Sequence, residues 1–162
     1  MRFRSLLPLL LSLPFACGGK SAADYATEAQ SSLDGGDAAK ALTLVDEALA
    51  QDAVKKDAAG TWRLEQIKLD ALAKAGKGGE VVSNLERLSG PYAKQITASL
   101  YRSLADKVKA AGDTPGAIDL LAAGDKKFPA DHATFTEAID ALKNSGNLDP
   151  AEVERLKALG YL

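Results

Sequence analysis

The sequence predicts an all-α fold, a solenoid of about four stacked helix pairs, or about eight helices. Three observations carry that expectation. Apolar residues recur at steps of three and four in one run after another, and no run shows the period of two that a half-buried strand requires. Glycines punctuate the runs: Gly36, Gly76, Gly112 and Gly146 lie 40, 36 and 34 residues apart, the period range of helix-pair repeats. Aromatic residues are only 6% of the 162, so the core must rest on Leu, Val, Ile and many Ala, and small Ala faces let helices approach closely.

Residues 1–16 stand apart from that pattern. Met1-Arg-Phe-Arg-Ser5 is a basic start, and Leu6 to Phe15 is an apolar run of about ten residues, interrupted by Pro8 and Pro14. The run is too short to cross a bilayer, which takes ~20 apolar residues. Its prolines and flanking arginines argue against a buried helix of the domain. The only cysteine, Cys17, follows directly, so no internal disulfide is possible, and a solitary cysteine after an export leader asks for a special reason.

From residue 22 to 162 the reading is helix, turn, helix. Ala22, Tyr25, Ala26, Ala29 and Leu33 form the first stripe, ended by Asp34-Gly-Gly-Asp37. Ala38, Ala41, Leu42, Val45, Ala48 and Leu49 form the second, followed by a polar link from Gln51 to Asp57. Leu64, Ile67, Ala71, Leu72 and Ala75 make the third, ended by Gly76; Val81, Val82, Leu85 and Leu88 make the fourth. Pro91 fits the first position of a fifth helix, whose face is Ala93, Ile96, Leu100, Leu104, Val108 and Ala111. Thr114 and Pro115 read as cap and first turn of a sixth, carrying Ala117, Ile118, Leu121 and Phe128. Asp131 is placed to cap a seventh, with Phe135, Ala138, Ile139 and Leu142. Asp149-Pro-Ala-Glu152 has the form of a capping box opening an eighth, with Val153, Leu156 and Leu159.

Two resemblances add to this. Phe15-Ala16-Cys17-Gly18 at the end of the leader resembles the lipobox of bacterial lipoproteins, with Pro14 and Phe15 departing from its usual Leu and small residue. The resemblance implies a diacylglycerol on the Cys17 sulfur, cleavage before Cys17, further acylation of the new N-terminus, and residues 17–21 as a lipidated tether. Gly18 in place of an Asp after the cysteine implies the outer membrane, facing the periplasm. The repeats look like tetratricopeptide repeats: Gly36-Asp37, Ala41 and Ala48 match in the first unit, and Leu104-Ala105, Gly112-Asp113, Ala117 and Pro129 in the third. Gly76 with Val81 and Gly146 with Ala151 are the partial matches of the second and fourth. An ordinary helical bundle with glycine-ended helices is the alternative.

The repeat resemblance implies a groove lined by the first helix of each pair. Its positions here are Arg63, Gln66, Asp70 and Lys74; then Arg102, Asp106 and Lys109; then Thr136, Asp140 and Lys143. Such a stripe of mixed sign suits a polar peptide, and it is equally what a solvated face looks like. The expected partner is an envelope protein or peptide, beside the membrane reached through the lipid on Cys17.

Composition argues against other classes. The net charge is −2, and −4 once the leader's Arg2 and Arg4 are gone, a poor match for nucleic acid. Lys55-Lys56 and Lys126-Lys127 are too small for a basic patch. The single histidine, His132, reads as a solvated helix-start residue, and one His with one Cys makes a tetrahedral zinc site unusual. Gly18-Gly-Lys-Ser21 mimics the end of a phosphate-binding loop without its upstream glycine or strand. Asp46-Glu47 and Glu152 with Glu154 read as solvated faces. The expectation is a non-catalytic protein with no cofactor and no metal. The alternative is a soluble exported helical protein without a lipid.

Overall fold

Glycine turns set the architecture. A computed structural model describes residues 20–146 and 148–162; the leader and Cys17 lie outside these. Among the described residues the elements are α1 (Ala22–Asp34), α2 (Ala38–Ala50), a short α3 (Asp52–Lys55), α4 (Ala58–Lys74), α5 (Gly78–Leu88), α6 (Ala98–Ala110), α7 (Thr114–Lys127), a 3-10 turn (Pro129–Asp131), α8 (His132–Lys143) and α9 (Pro150–Ala158), with no strand.

Three of the repeating glycines do the same thing. Gly36, Gly76 and Gly112 have φ of +86°, +66° and +90°. At each, two backbone N–H groups fold back on the helix just ended: Asp37 donates to Ser32 O (2.9 Å), Lys77 to Leu72 O (3.0 Å) and Asp113 to Val108 O (3.1 Å), each beside a shorter-range bond from the glycine itself. This satisfies orphan helix carbonyls, and a side chain at such a φ costs ~1–2 kcal/mol. A fourth copy closes the chain: Gly160 (φ +83°) follows α9, and Tyr161 donates to Leu156 O at 2.9 Å. Gly146 also has a positive φ, but it stands outside this pattern, two residues past the cap Asn144.

The pairs α1/α2, α4/α5 and α6/α7 stack as neighbours. First helices touch first helices (α1 on α4, α4 on α6), second helices touch the next first helix (α2 on α4, α5 on α6, α7 on α8), and α5 packs along α7. The result is an all-α array of stacked helix pairs. The last unit differs: α8 and α9 both rest on α7 but make little contact with each other, and α8 makes little with α6.

The core falls into two clusters that α4 joins. Leu64, Ile67 and Ala71 face the first, with Ala26, Ala29, Leu33, Ala41, Val45 and Ala48. Leu69, Leu72 and Ala73 face the second, with Leu85, Tyr101, Leu104, Ile118, Phe135 and Ile139. A helix sandwiched in this way buries two faces, so its apolar pattern is broader than the single expected stripe.

Several boundaries depart from expectation. The expected link at 51–57 contains α3, whose Val54 is buried, and Asp57 caps α4 by accepting from Gly60 N at 2.9 Å. Pro91 does not open a helix: residues 90–95 are a turn, and α6 starts after Thr97, whose hydroxyl accepts from Leu100 N at 3.2 Å. The cap of α7 is Asp113, one residue before Thr114. Asp131 makes no side-chain cap bond; it closes the 3-10 turn instead. The capping box at Asp149 and Glu152 forms with both bonds at 2.8 Å.

Candidate functional site

The ten groove residues sit on α4, α6 and α8, and their surroundings divide them. On α4, Arg63 and Gln66 are exposed. Asp70 accepts from Lys107 of α6 at 2.6 Å, and Lys74 reaches Leu33 O at the end of α1, 3.3 Å. These last two act as ties between units. A lysine on the last carbonyls of a neighbouring helix also complements that helix's negative end. On α8, Thr136 lies 3.3 Å from His132, and Lys143 bridges Asp140 (2.8 Å) and Tyr161 O (3.1 Å).

The α6 residues come together with α8. Arg102, Asp106, Lys109 and Ala141 rim a small cavity of about 60 Å³ whose apolar floor includes the buried Ala105, Leu121 and Ala138. Arg102 Nη1 donates to Thr134 O at 2.9 Å, while its Nε lies 4.0 Å from Asp106 Oδ2. That Nε is fully buried and is the one buried side-chain polar atom among the described residues without a hydrogen-bond partner. A buried N–H left unpaired costs about 1–3 kcal/mol. Lys109 is exposed and has no carboxylate within 4.0 Å among the described residues. Small residues make the floor because alanines on α6 and α8 leave room between two helices that both pack on α7. The α4 residues of the stripe do not line this cavity.

Other groups escaped sequence reasoning. Glu65 is buried on α4 and accepts a two-pronged bond from Arg87 of α5 (2.7 and 3.0 Å). The signal was there: Glu65 stands three residues after Trp62 and four before Leu69, on a face otherwise apolar. Asp113 accepts from Gly116 N (2.9 Å) on its own helix and from Gly78 N (2.8 Å) at the start of α5, so one carboxylate caps two helices. Lys77, which stands where the other pairs carry Asp, makes no cap bond. Two wider clefts flank the end of α7. One, about 410 Å³, is lined by Glu86, Ser89, Tyr101, Ala123, Lys126 and Lys127; the other, about 460 Å³, includes Asp125, His132, Leu159 and Tyr161.

His132 Nδ1 lies 2.7 Å from Asp125 Oδ1, with the Thr136 hydroxyl beyond Nε2. An acid, an imidazole and a hydroxyl in a row are the parts of a nucleophile relay, but Thr136 is a mid-helix residue that does not line the adjoining cleft. Ser21, the last residue of the loop-like Gly18–Ser21 stretch, is the N-cap of α1 and forms a capping box with Asp24. Among the described residues no group of His, Cys, Asp and Glu is placed to hold a metal, and no helix is long and apolar enough to cross a membrane. No family model, curated protein or solved structure matches the chain.

Proposed function

We propose that this is a non-catalytic scaffold of the bacterial cell envelope, held to a membrane by lipid on Cys17, that docks a protein partner along α6 and α8. The observation that carries the docking half is the cavity between Ala105, Ala138 and Ala141 with Arg102 and Lys109 at its rim. Its floor accepts one small aliphatic side chain. Its rim offers the exposed Lys109 ammonium to an acceptor, with the Arg102 guanidinium beside it. The fitting partner is an extended segment with a carboxylate close to a small apolar residue. The likeness of the glycine-punctuated helix pairs to tetratricopeptide repeats supports the same reading.

The anchoring half rests on the leader and Cys17. One acyl chain holds a protein weakly, and two or more hold it stably, at ~0.8 kcal/mol per buried methylene. The reading places the protein at the outer membrane, facing the periplasm.

Chemical crosslinking in the native host tests the docking. Lys109→Glu alone, and Arg102→Glu with Lys109→Glu, should lose a crosslinked partner while the helical circular dichroism persists. An unchanged partner set with the double variant overturns it. The mass of the N-terminal peptide from host membranes tests the anchor. A peptide starting at Cys17 with diacylglycerol mass is expected; an unmodified start beyond Cys17 points instead to a soluble exported protein.

A further inference from the structure

The chain end after α9 is held by side chains as well as by its glycine turn. Gly160 reverses the backbone, Tyr161 turns inward, and its hydroxyl donates to Asp125 Oδ2 at 2.6 Å. Lys143 of α8 donates to the Tyr161 carbonyl at 3.1 Å. The neighbouring Leu159 and Leu162 point outward, 42% and 55% exposed, and are the exposed large hydrophobics among the described residues. Tyr161 and Leu159 thereby form one wall of the 460 Å³ cleft whose opposite side is α7 and the start of α8.

Asp125 is shared. While Oδ2 holds Tyr161, Oδ1 accepts from His132 at 2.7 Å. The Asp125 side chain is 12% exposed and the His132 ring 64% exposed. An almost buried carboxylate therefore joins a group open to solvent with the residue that holds the chain end down. We infer that Gly160–Leu162 is a latch in the wall of this cleft, with Asp125 as its hub and His132 as the handle that reaches it from solvent. Latched, Tyr161 closes the wall of the cleft. Released, the strap swings on Gly160, the cleft opens along α7 and α8, and Asp125 becomes accessible. Groups in one hydrogen-bond network couple, whereas groups that merely lie near each other add.

Amide exchange on the full chain tests the latch. Its readout is the rate at Gly160 and Tyr161 relative to Leu85, which lies in another unit. Tyr161→Phe removes only the hydroxyl and should speed the strap amides by about tenfold, the factor that corresponds to one hydrogen bond to a charged acceptor. His132→Ala should also speed them, because Asp125 loses the bond that orients it. The double variant should be no faster than Tyr161→Phe alone, since both act through one carboxylate. The latch is overturned if Tyr161→Phe leaves the relative rate unchanged. The hub is overturned if His132→Ala has no effect on the strap, or if the two single effects multiply in the double variant.

Discussion

The two core clusters are built from different materials. Half of the first is alanine: Ala22, Ala26, Ala29, Ala41, Ala48 and Ala71 beside Leu33, Leu44, Val45, Val54, Leu64 and Ile67, with no buried aromatic ring. The second is rich in leucine and holds Tyr101 and Phe135, with Phe128 edge-on to Tyr101 at 5.9 Å between centroids and Trp62 over Tyr92 at 4.9 Å. A buried alanine removes little area from water, whereas a buried leucine or phenylalanine contributes ~1.5–3 kcal/mol. The alanine-rich half gains close helix approach; polar ties cross both halves, Lys68 to Asp46 (2.6 Å) and Lys74 to Leu33 O in the first, Arg87 to buried Glu65 in the second. The same repeat geometry is thus held by fit in one half and by area in the other. A stacked array tolerates this because each unit answers only to its neighbours.

The largest effect should come from the second cluster. Phe135 is fully buried, and its ring sits where a Cβ on Gly124 would come within 2.4 Å. Phe135→Ala should cost about 3–5 kcal/mol, read as a fall in the urea midpoint, and should loosen α8 more than α1. An equal loss of amide protection in both halves would show that the array unfolds as one body.

A middle effect separates the turns. Asp37 caps one helix, by accepting from Lys40 N at 2.9 Å, whereas Asp113 caps two. Asp37→Ala should cost ~1 kcal/mol and Asp113→Ala about twice that, measured by the same unfolding curves. Equal costs would mean that the bond from Gly78 adds nothing.

The smallest effect reverses the ranking of the halves. Burial, then the charge of Glu86, raises the phenol of Tyr101; burial, then its bond to Asp125, raises that of Tyr161. Folding favours the protonated phenols, so this contribution is whole below the ordinary value of about pH 10 and is lost as pH rises beyond it. The second half should weaken first in alkali, with phenolate absorbance appearing as it unfolds. A Tyr161→Phe variant with an unchanged alkaline midpoint would remove Tyr161 from that account.

The helix pairs were legible because their turns need a residue only glycine supplies cheaply, so Gly36, Gly76 and Gly112 mark them in any context. The start of α6 was not. Ala93 and Ile96 continue the helical spacing of Leu100 and Leu104, so a turn and a helix read as one stripe. Ile96 is buried just before the cap Thr97, and Tyr101 is buried just inside the helix, the placement of a hydrophobic staple. The groove was half legible. Helical spacing places Arg102, Asp106 and Lys109 on one helix face, but the partners of Asp70 and Lys74, and the second partner of Lys143, come from residues 37, 41 and 18 positions away. No local pattern records which charges are already engaged.

Gly78 and Gly116 face each other so closely that a Cβ on Gly78 would come within 2.5 Å of Gly116 Cα, directly beside the carboxylate that caps both helices. Repeat proteins can lengthen or shorten by whole units, because one unit's seat resembles the next. Here the second unit has surrendered its own cap and borrows from the third. Excising the third would leave the start of the second unit's α5 uncapped, and duplicating the second would produce a copy lacking a lender. Separating these two units would cost the second the bond that caps its helix start.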